Sequence, residues 1–203
     1  STVEHLMSAF AGLEITDAEV EVSAPELPAA GGSSAPFVAG LTAAGFAVLP
    51  EGEADLPYAR LFHHDGEIRI AMGRGDGHWR FSFDAGDRWP GLQTFETTAV
   101  VEDYPAQVAP ARTFAFAEEV PHLIQAGLAK GLDATSALIL GIEGYKNDPI
   151  LPDEPARHKL LDLIGDLYLA GVPIRYLNVS AERSGHRTNV AAAATLRRAA
   201  GLD

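Results

Sequence analysis

The densest run of chemistry-bearing side chains is Arg157-His158-Lys159-Leu160-Leu161-Asp162-Leu163-Ile164-Gly165-Asp166-Leu167-Tyr168. At about 100° per residue, helix positions i, i+4 and i+8 lie one above another. His158 and Asp162 can therefore offer an imidazole nitrogen and a carboxylate oxygen to one metal ion from consecutive turns, with Asp166 a turn further on. Leu160, Ile164, Leu167 and Tyr168 predict the buried stripe of that helix, with His158, Lys159, Asp162 and Asp166 on its opposite side. The same spacing also describes a solvated helix face carrying a His/Asp pair, and local pattern leaves both readings open. A second constellation is Glu4-His5, which lies off the helical stripe of Val3, Leu6, Met7 and Phe10. A Glu beside a metal-ligating His suits hydrolysis: the metal lowers the pKa of water, and the carboxylate removes its proton as it attacks a carbonyl. Ser1-x-x-Glu4 is equally the spacing of a capping box, a competing use for Glu4. His186, in Arg183-Ser184-Gly185-His186, falls in a strand-to-helix loop, where either a reactive group or a plain solvated histidine fits. His63, His64, His78 and His122 flank turns or a proline and read as surface residues.

Composition limits what can position these groups. The chain has 203 residues, 47% of them hydrophobic, enough for one large domain or two small ones. It has no cysteine, so a metal site must be built from His, Asp and Glu. A net charge of -13 repels phosphate backbones and disfavours nucleic acid as a partner, but says little about a small anion held by a local cation. With neither an apolar run of bilayer length nor a basic-then-apolar leader, the sequence reads as a cytoplasmic protein with no transmembrane segment. It opens on Ser1-Thr2-Val3, with no Met and no strand before its first helix, which predicts an incomplete chain.

The elements read as α+β throughout. Helical period from Val3 to Gly12, alternation over 18–22, loops around Pro25 and Gly31, and a helix over 36–45 make the first unit, residues 1–49. Acidic residues with Pro and Gly over 50–57 read as a linker, and 58–203 as a second domain. There, 61–72, 79–83 and 92–101 predict strands of an antiparallel sheet joined by Gly-rich turns. Gly73-Arg74-Gly75-Asp76-Gly77 has no Lys-Ser/Thr and opens no helix, so it is a turn rather than a phosphate loop. A helix over 118–128, a strand over 137–142, a long helix over 154–170, a strand over 174–179 and a closing helix over 188–200 complete the order.

Ser1-Thr2-Val3-Glu4-His5-Leu6-Met7-Ser8-Ala9, Gly32-Ser33-Ser34-Ala35-Pro36-Phe37-Val38, Ala111-Arg112-Thr113-Phe114, the run from Arg157 to Tyr168, and Ser184-Gly185-His186 occur in one order. In that order the chain resembles, nearly end to end, the UDP-3-O-acyl-N-acetylglucosamine deacetylase (LpxC) family. The resemblance implies two similar α+β domains packed helix layer to helix layer, with the active site in the cleft between them and the opening strands of the first domain missing here. It implies Zn2+ on His5, His158 and Asp162, with Glu4 as general base and Thr113 holding the carbonyl oxygen. His186, charged and held by Asp166, would stabilise the oxyanion or protonate the leaving amine. Lys159 would meet the polar part of the substrate, Phe114 the sugar, and apolar residues of the second domain the acyl chain. The implied reaction removes acetate from the 2-acetamido group of UDP-3-O-(hydroxyacyl)-N-acetylglucosamine, for lipid A synthesis in a Gram-negative cytoplasm, by a monomer. Where the family has Asp-Gly this chain has Gly31-Gly32; a Gly-Gly-Ser becomes Gly131-Leu132-Asp133, the following Asn-Ala region Thr135-Ser136-Ala137, a Lys becomes Arg183, and Asn-Asn becomes Asn189-Val190. The altered loops keep a noncatalytic binding relative as the alternative, and a zinc amidase for another acetylated sugar as a third reading.

Overall fold

Alternating side chains build a five-stranded mixed sheet in the computed structural model, which describes residues 3–50, 60–127, 133 and 135–202. Strands β1 (Arg60–Asp65) and β2 (Ile68–Arg74) form a hairpin closed at Gly66, whose φ of 61° suits glycine. β3 (Trp79–Asp84) and β4 (Leu92–Thr97) pair antiparallel, and β7 (Leu177–Glu182) inserts between β2 and β3, giving the order β1-β2-β7-β3-β4. The strands expected in an antiparallel sheet do pair antiparallel, β1 with β2 and β3 with β4, while β7, which the sequence assigned to no sheet, joins them antiparallel to β2 and parallel to β3. One face buries Ile70, Met72, Trp79, Phe81, Val179 and Ala181, in step with the two-residue strand period.

Helix α5 (Glu154–Tyr168) lies on that face, beside α6 (His186–Ala199). Leu160, Leu161, Leu163, Ile164 and Leu167 are fully buried in the same core as Leu196 of α6. α1 (Glu4–Gly12) packs on the other side of α5, and α2 (Ala35–Ala44) packs on α1. A short α3 (Val100–Asp103) runs into a π-helical turn, Tyr104–Val108. A small parallel pair, β5 (Phe114–Phe116) with β6 (Leu138–Leu140), flanks α4 (Val120–Gln125). The fold is α+β, and among the described residues no helix is long and apolar enough to cross a membrane.

Several local expectations change. The buried side of α1 carries Ser8, Ala9, Ala11 and Gly12 together with Phe10, while Val3, Leu6 and Met7 border an open groove with Val20 and Val22. Small residues win that face because α1 and α5 nearly touch: a Cβ on Gly165 would sit 2.0 Å from the Glu4 carbonyl oxygen. With α1 against it, α5 is buried over most of its surface, and of the four polar residues His158, Asp162 and Asp166 are buried and Lys159 partly so, which corrects the solvated-face reading. Residues 18–22 form no strand, since no described strand lies beside them to complete their hydrogen bonds. The strand over 92–101 stops at Thr97, whose hydroxyl accepts from the Ala99 amide and donates to Asp103, turning the chain into α3. Pro173 is followed by a 3-10 turn, Ile174–Tyr176, so β7 starts at Leu177 and not at 174. Residues 51–57 of the linker, the end of the helix at Leu128, Ser1 of the capping box and Gly131-Leu132 lie outside the described residues.

Candidate metal centre

The close approach at Gly165 sets the first turn of α1 against the middle of α5. His5 then faces His158 edge to face, with ring centroids 5.1 Å apart. Both rings turn towards one carboxylate oxygen: Asp162 Oδ1 is 3.7 Å from His5 Nε2 and 3.4 Å from His158 Nε2. One ligand atom from each of the three lies within 4.8 Å of the others.

What these atoms can hold follows from where the protons are. His158 Nδ1 is 3.1 Å from the Ala111 carbonyl oxygen, which can only accept, so Nδ1 carries a proton. Burial pushes the His158 pKa down to about 4, outweighing the nearby Asp162 charge. Its ring is therefore neutral at pH 7, and Nε2 presents a lone pair to Asp162. Burial likewise lowers His5, against the opposing pull of Asp162 and Glu4. Burial alone would raise Asp162, but Lys159 and the three surrounding histidines outweigh it and hold the carboxyl below the usual carboxylate range. Lys159 donates to Asp162 Oδ2 at 2.9 Å and is itself raised by that charge, while Oδ1 is buried with no hydrogen-bond partner. The His158 Nε2 lone pair therefore meets those of Asp162 Oδ1 with no hydrogen bond between them, a repulsive arrangement that a cation would relieve. The 3.4 and 3.7 Å separations are close to the roughly 3.3 Å edges of a tetrahedron with zinc-like bonds of about 2.0–2.1 Å. Two imidazoles and one carboxylate fit zinc.

Other residues singled out in the sequence surround this set. Glu4 enters α1 as its first residue, after Val3 and with no side-chain cap, so it does not occupy the third-residue position that a capping box needs. Its carboxylate Oε1 lies 3.8 Å from His186 Nε2. His186 is the first residue of α6 rather than a loop residue, and its Nδ1 bonds Asp166 Oδ2 at 3.0 Å. That bond, helped by the charges of Asp162, Asp166 and Glu4 and opposed by burial, raises His186 to about 9 and keeps it a cation at neutral pH. Phe114 packs edge-on to His158, centroids 6.2 Å apart, and the Lys159 Nζ lies 5.6 Å from its ring centre. Thr113 is two residues from the carbonyl that anchors His158, and its backbone is tied to Gly32 and Leu138. Gly32, at φ 72°, has no room for a side chain: a Cβ would meet the Ser136 carbonyl oxygen at 2.0 Å. Among the described residues, none of His63, His64, His78 or His122 joins a metal-ligand group.

Three supports were not singled out as site residues by the sequence. Arg112 and Glu154, both buried, form an ion pair in which Nε donates to Oε1 at 2.9 Å. The Glu154 carboxylate also accepts from the Arg112 and Ile150 amides, locking the turn before Thr113 to the start of α5. Ser34 Oγ donates to the His5 carbonyl at 2.8 Å, and Tyr104 donates to Ser8, so α1 is bonded from two sides. Asn189 Nδ2 donates to Asp166 Oδ2 at 3.0 Å. A Glu at a helix start and an Asn three residues after a His are the only local signals for such partners.

Comparison with known proteins gives a family match over residues 1–198, to UDP-3-O-acyl N-acetylglycosamine deacetylase. The chain is similar to the UDP-3-O-acyl-N-acetylglucosamine deacetylase of Chromobacterium violaceum, 36% identical over 93% of this chain and 64% of that protein. It is 38% identical to that of Anaeromyxobacter dehalogenans over 94% of this chain and 63% of that protein. For that of Nostoc sp. the values are 32%, 84% and 64%. The chain thus spans just under two thirds of the length of these relatives.

Proposed function

The chain belongs to the UDP-3-O-acyl N-acetylglycosamine deacetylase family, and on that premise we propose that it forms the catalytic centre of a zinc-dependent deacetylase. The substrate is UDP-3-O-(hydroxyacyl)-N-acetylglucosamine, and water cleaves its 2-acetamido bond to give acetate and the free amine. The observation that carries this reading is the convergence of His5 Nε2 and His158 Nε2 on the buried, partnerless Oδ1 of Asp162.

His5, His158 and Asp162 would hold the zinc, which would supply Lewis acidity at the attacking water and the amide carbonyl. Glu4 takes the proton from the water as its oxygen bonds the carbonyl carbon. The Thr113 hydroxyl donates to the carbonyl oxygen as negative charge builds there. His186, kept cationic by Asp166, steadies that charge and then hands its proton to the departing nitrogen, so the amine leaves neutral. Lys159 contacts the polar part of the substrate and Phe114 the sugar, and apolar residues of the second domain line the path of the acyl chain. α1 and α2 belong to a first α+β domain, residues 1–49, and 58–203 to a second, joined through 50–57, with the site in the cleft between their helix layers. A cytoplasmic monomer in Gram-negative lipid A synthesis is the setting that fits.

Acetate release by the complete gene product tests the reading. Activity is expected to need both the UDP group and the 3-O-acyl chain, and to fall by roughly 100-fold or more in Glu4→Gln, the scale for losing a general base. A folded, zinc-loaded protein that releases no acetate would overturn it, favouring a noncatalytic binding role; equal use of a simpler acetylated sugar would overturn the substrate.

A further inference from the structure

We propose that Asn189 is a positioning residue for the acid/base pair: its amide holds the Asp166 carboxylate in the place from which that carboxylate orients His186. The proposal rests on the deacetylase reading above. His186 and Asn189 stand three residues apart on the first turn of α6, so both side chains leave the same helix face. Each donates to one oxygen, Asp166 Oδ2, and each does so at 3.0 Å. Asp166 is 4% exposed and Asn189 1%, so water cannot stand in for a lost amide.

Asn189 is an expensive way to fill that space. Its Oδ1 is buried with no hydrogen-bond partner, an arrangement that costs stability which an apolar side chain of similar size would avoid. The amide is accounted for by what its other end does. A carboxylate held by one donor can turn about its χ2, which is broad and soft; two donors meeting on one oxygen fix that oxygen. The His186 ring needs that constraint, because its side chain is half exposed and Asp166 is the closest group that holds it. The far nitrogen, Nε2, then lies 3.8 Å from Glu4 Oε1, beside the proposed base. Asn189 touches no reacting atom and acts only through Asp166.

The test is steady-state kinetics of the complete gene product with Asn189→Leu, which keeps the volume, and Asn189→Ala, each also combined with Asp166→Ala. We expect kcat to fall by roughly 10- to 100-fold with KM within about twofold, the scale for an outer-shell hydrogen bond to an ionised group. Combined with Asp166→Ala, the Asn189 change should add no further loss. Unchanged kcat, a fall carried by KM, or losses that multiply with Asp166→Ala would each overturn the proposal, as would failure of both single variants to fold, which makes Asn189 structural. Absence of acetate release by the unsubstituted protein is a different failure, that of the deacetylase reading itself.

Discussion

Gly165→Ala adds one methyl group at the α1–α5 contact, and that contact positions half of the proposed chemistry. The new Cβ would lie 2.0 Å from the Glu4 carbonyl oxygen, 2.8 Å from its carbon and 3.1 Å from its Cα. All three are backbone atoms, so no rotamer change relieves the clash, and α1 must retreat by about 1 Å or more to restore van der Waals distance. Overpacking of this kind costs about 1–3 kcal/mol of stability. The functional loss should be larger, because Glu4 and His5 ride on the helix that moves while His158 and Asp162 stay. A shift of about 1 Å in a catalytic group is worth on the order of 100-fold in rate, and the 3.7 Å approach of His5 to Asp162 would open with it. Thermal melting, zinc content and acetate release, measured together, read the three consequences. Gly40→Ala is the control: Gly40 is an exposed residue inside α2 with nothing within 4 Å of an added Cβ. It should stabilise the protein by about 0.5–1 kcal/mol and leave zinc and rate unchanged. Wild-type melting and zinc binding in Gly165→Ala would refute the claim that backbone contact between α1 and α5 assembles the site.

Titration gives two further expectations. His186 keeps its proton up to about pH 9 because Asp166 bonds it, so kcat should hold below that and fall as pH rises through about 9, with Asp166→Asn moving the fall towards the ordinary imidazole range of 6.5; a profile unmoved by Asp166→Asn would remove His186 from the acid role. For the metal-free protein, an unfolded His158 takes up its proton near 6.5, whereas the native one refuses it until about 4, so stability should decline as pH drops from 6.5 to 4 and His158→Gln should flatten that decline in urea titrations. Arg112→Met leaves Glu154, wholly buried, without its partner and should cost about 3–5 kcal/mol, most of it recovered by adding Glu154→Leu; a single variant within about 1 kcal/mol of wild type would show that the pair does not lock the turn before Thr113.

The residues of the candidate site were legible in the sequence because ligand types recur at helical spacing. His158, Asp162 and Asp166 share a face by arithmetic alone, and family resemblance joined them to Glu4, His5 and His186. The surroundings were not legible in the same way. An apolar stripe on α1 pointed to Leu6 and Met7 as its buried side, yet the helix buries Ser8, Ala9 and Ala11, because its neighbour is a backbone and not a layer of large side chains. Nothing local in residues 174–182 separates a 3-10 turn from the strand that follows; the Ile174 carbonyl accepting from the Trp79 indole is a tertiary event. The insertion of β7 between β2 and β3 is likewise long-range, since alternation fixes which face a strand buries but not which strand lies beside it. Asn189 was noted only as a remnant of a pair, and its partner is 23 residues away in sequence.

The central claim is that His5, His158 and Asp162 hold one metal ion, and metal stoichiometry tests it most directly. The complete gene product, stripped by chelator and titrated with zinc, should bind about one ion per chain tightly, and His5→Ala, His158→Ala and Asp162→Ala should each abolish that tight site while the fold is retained. A folded protein that binds no zinc, or whose zinc survives all three substitutions, would contradict the account.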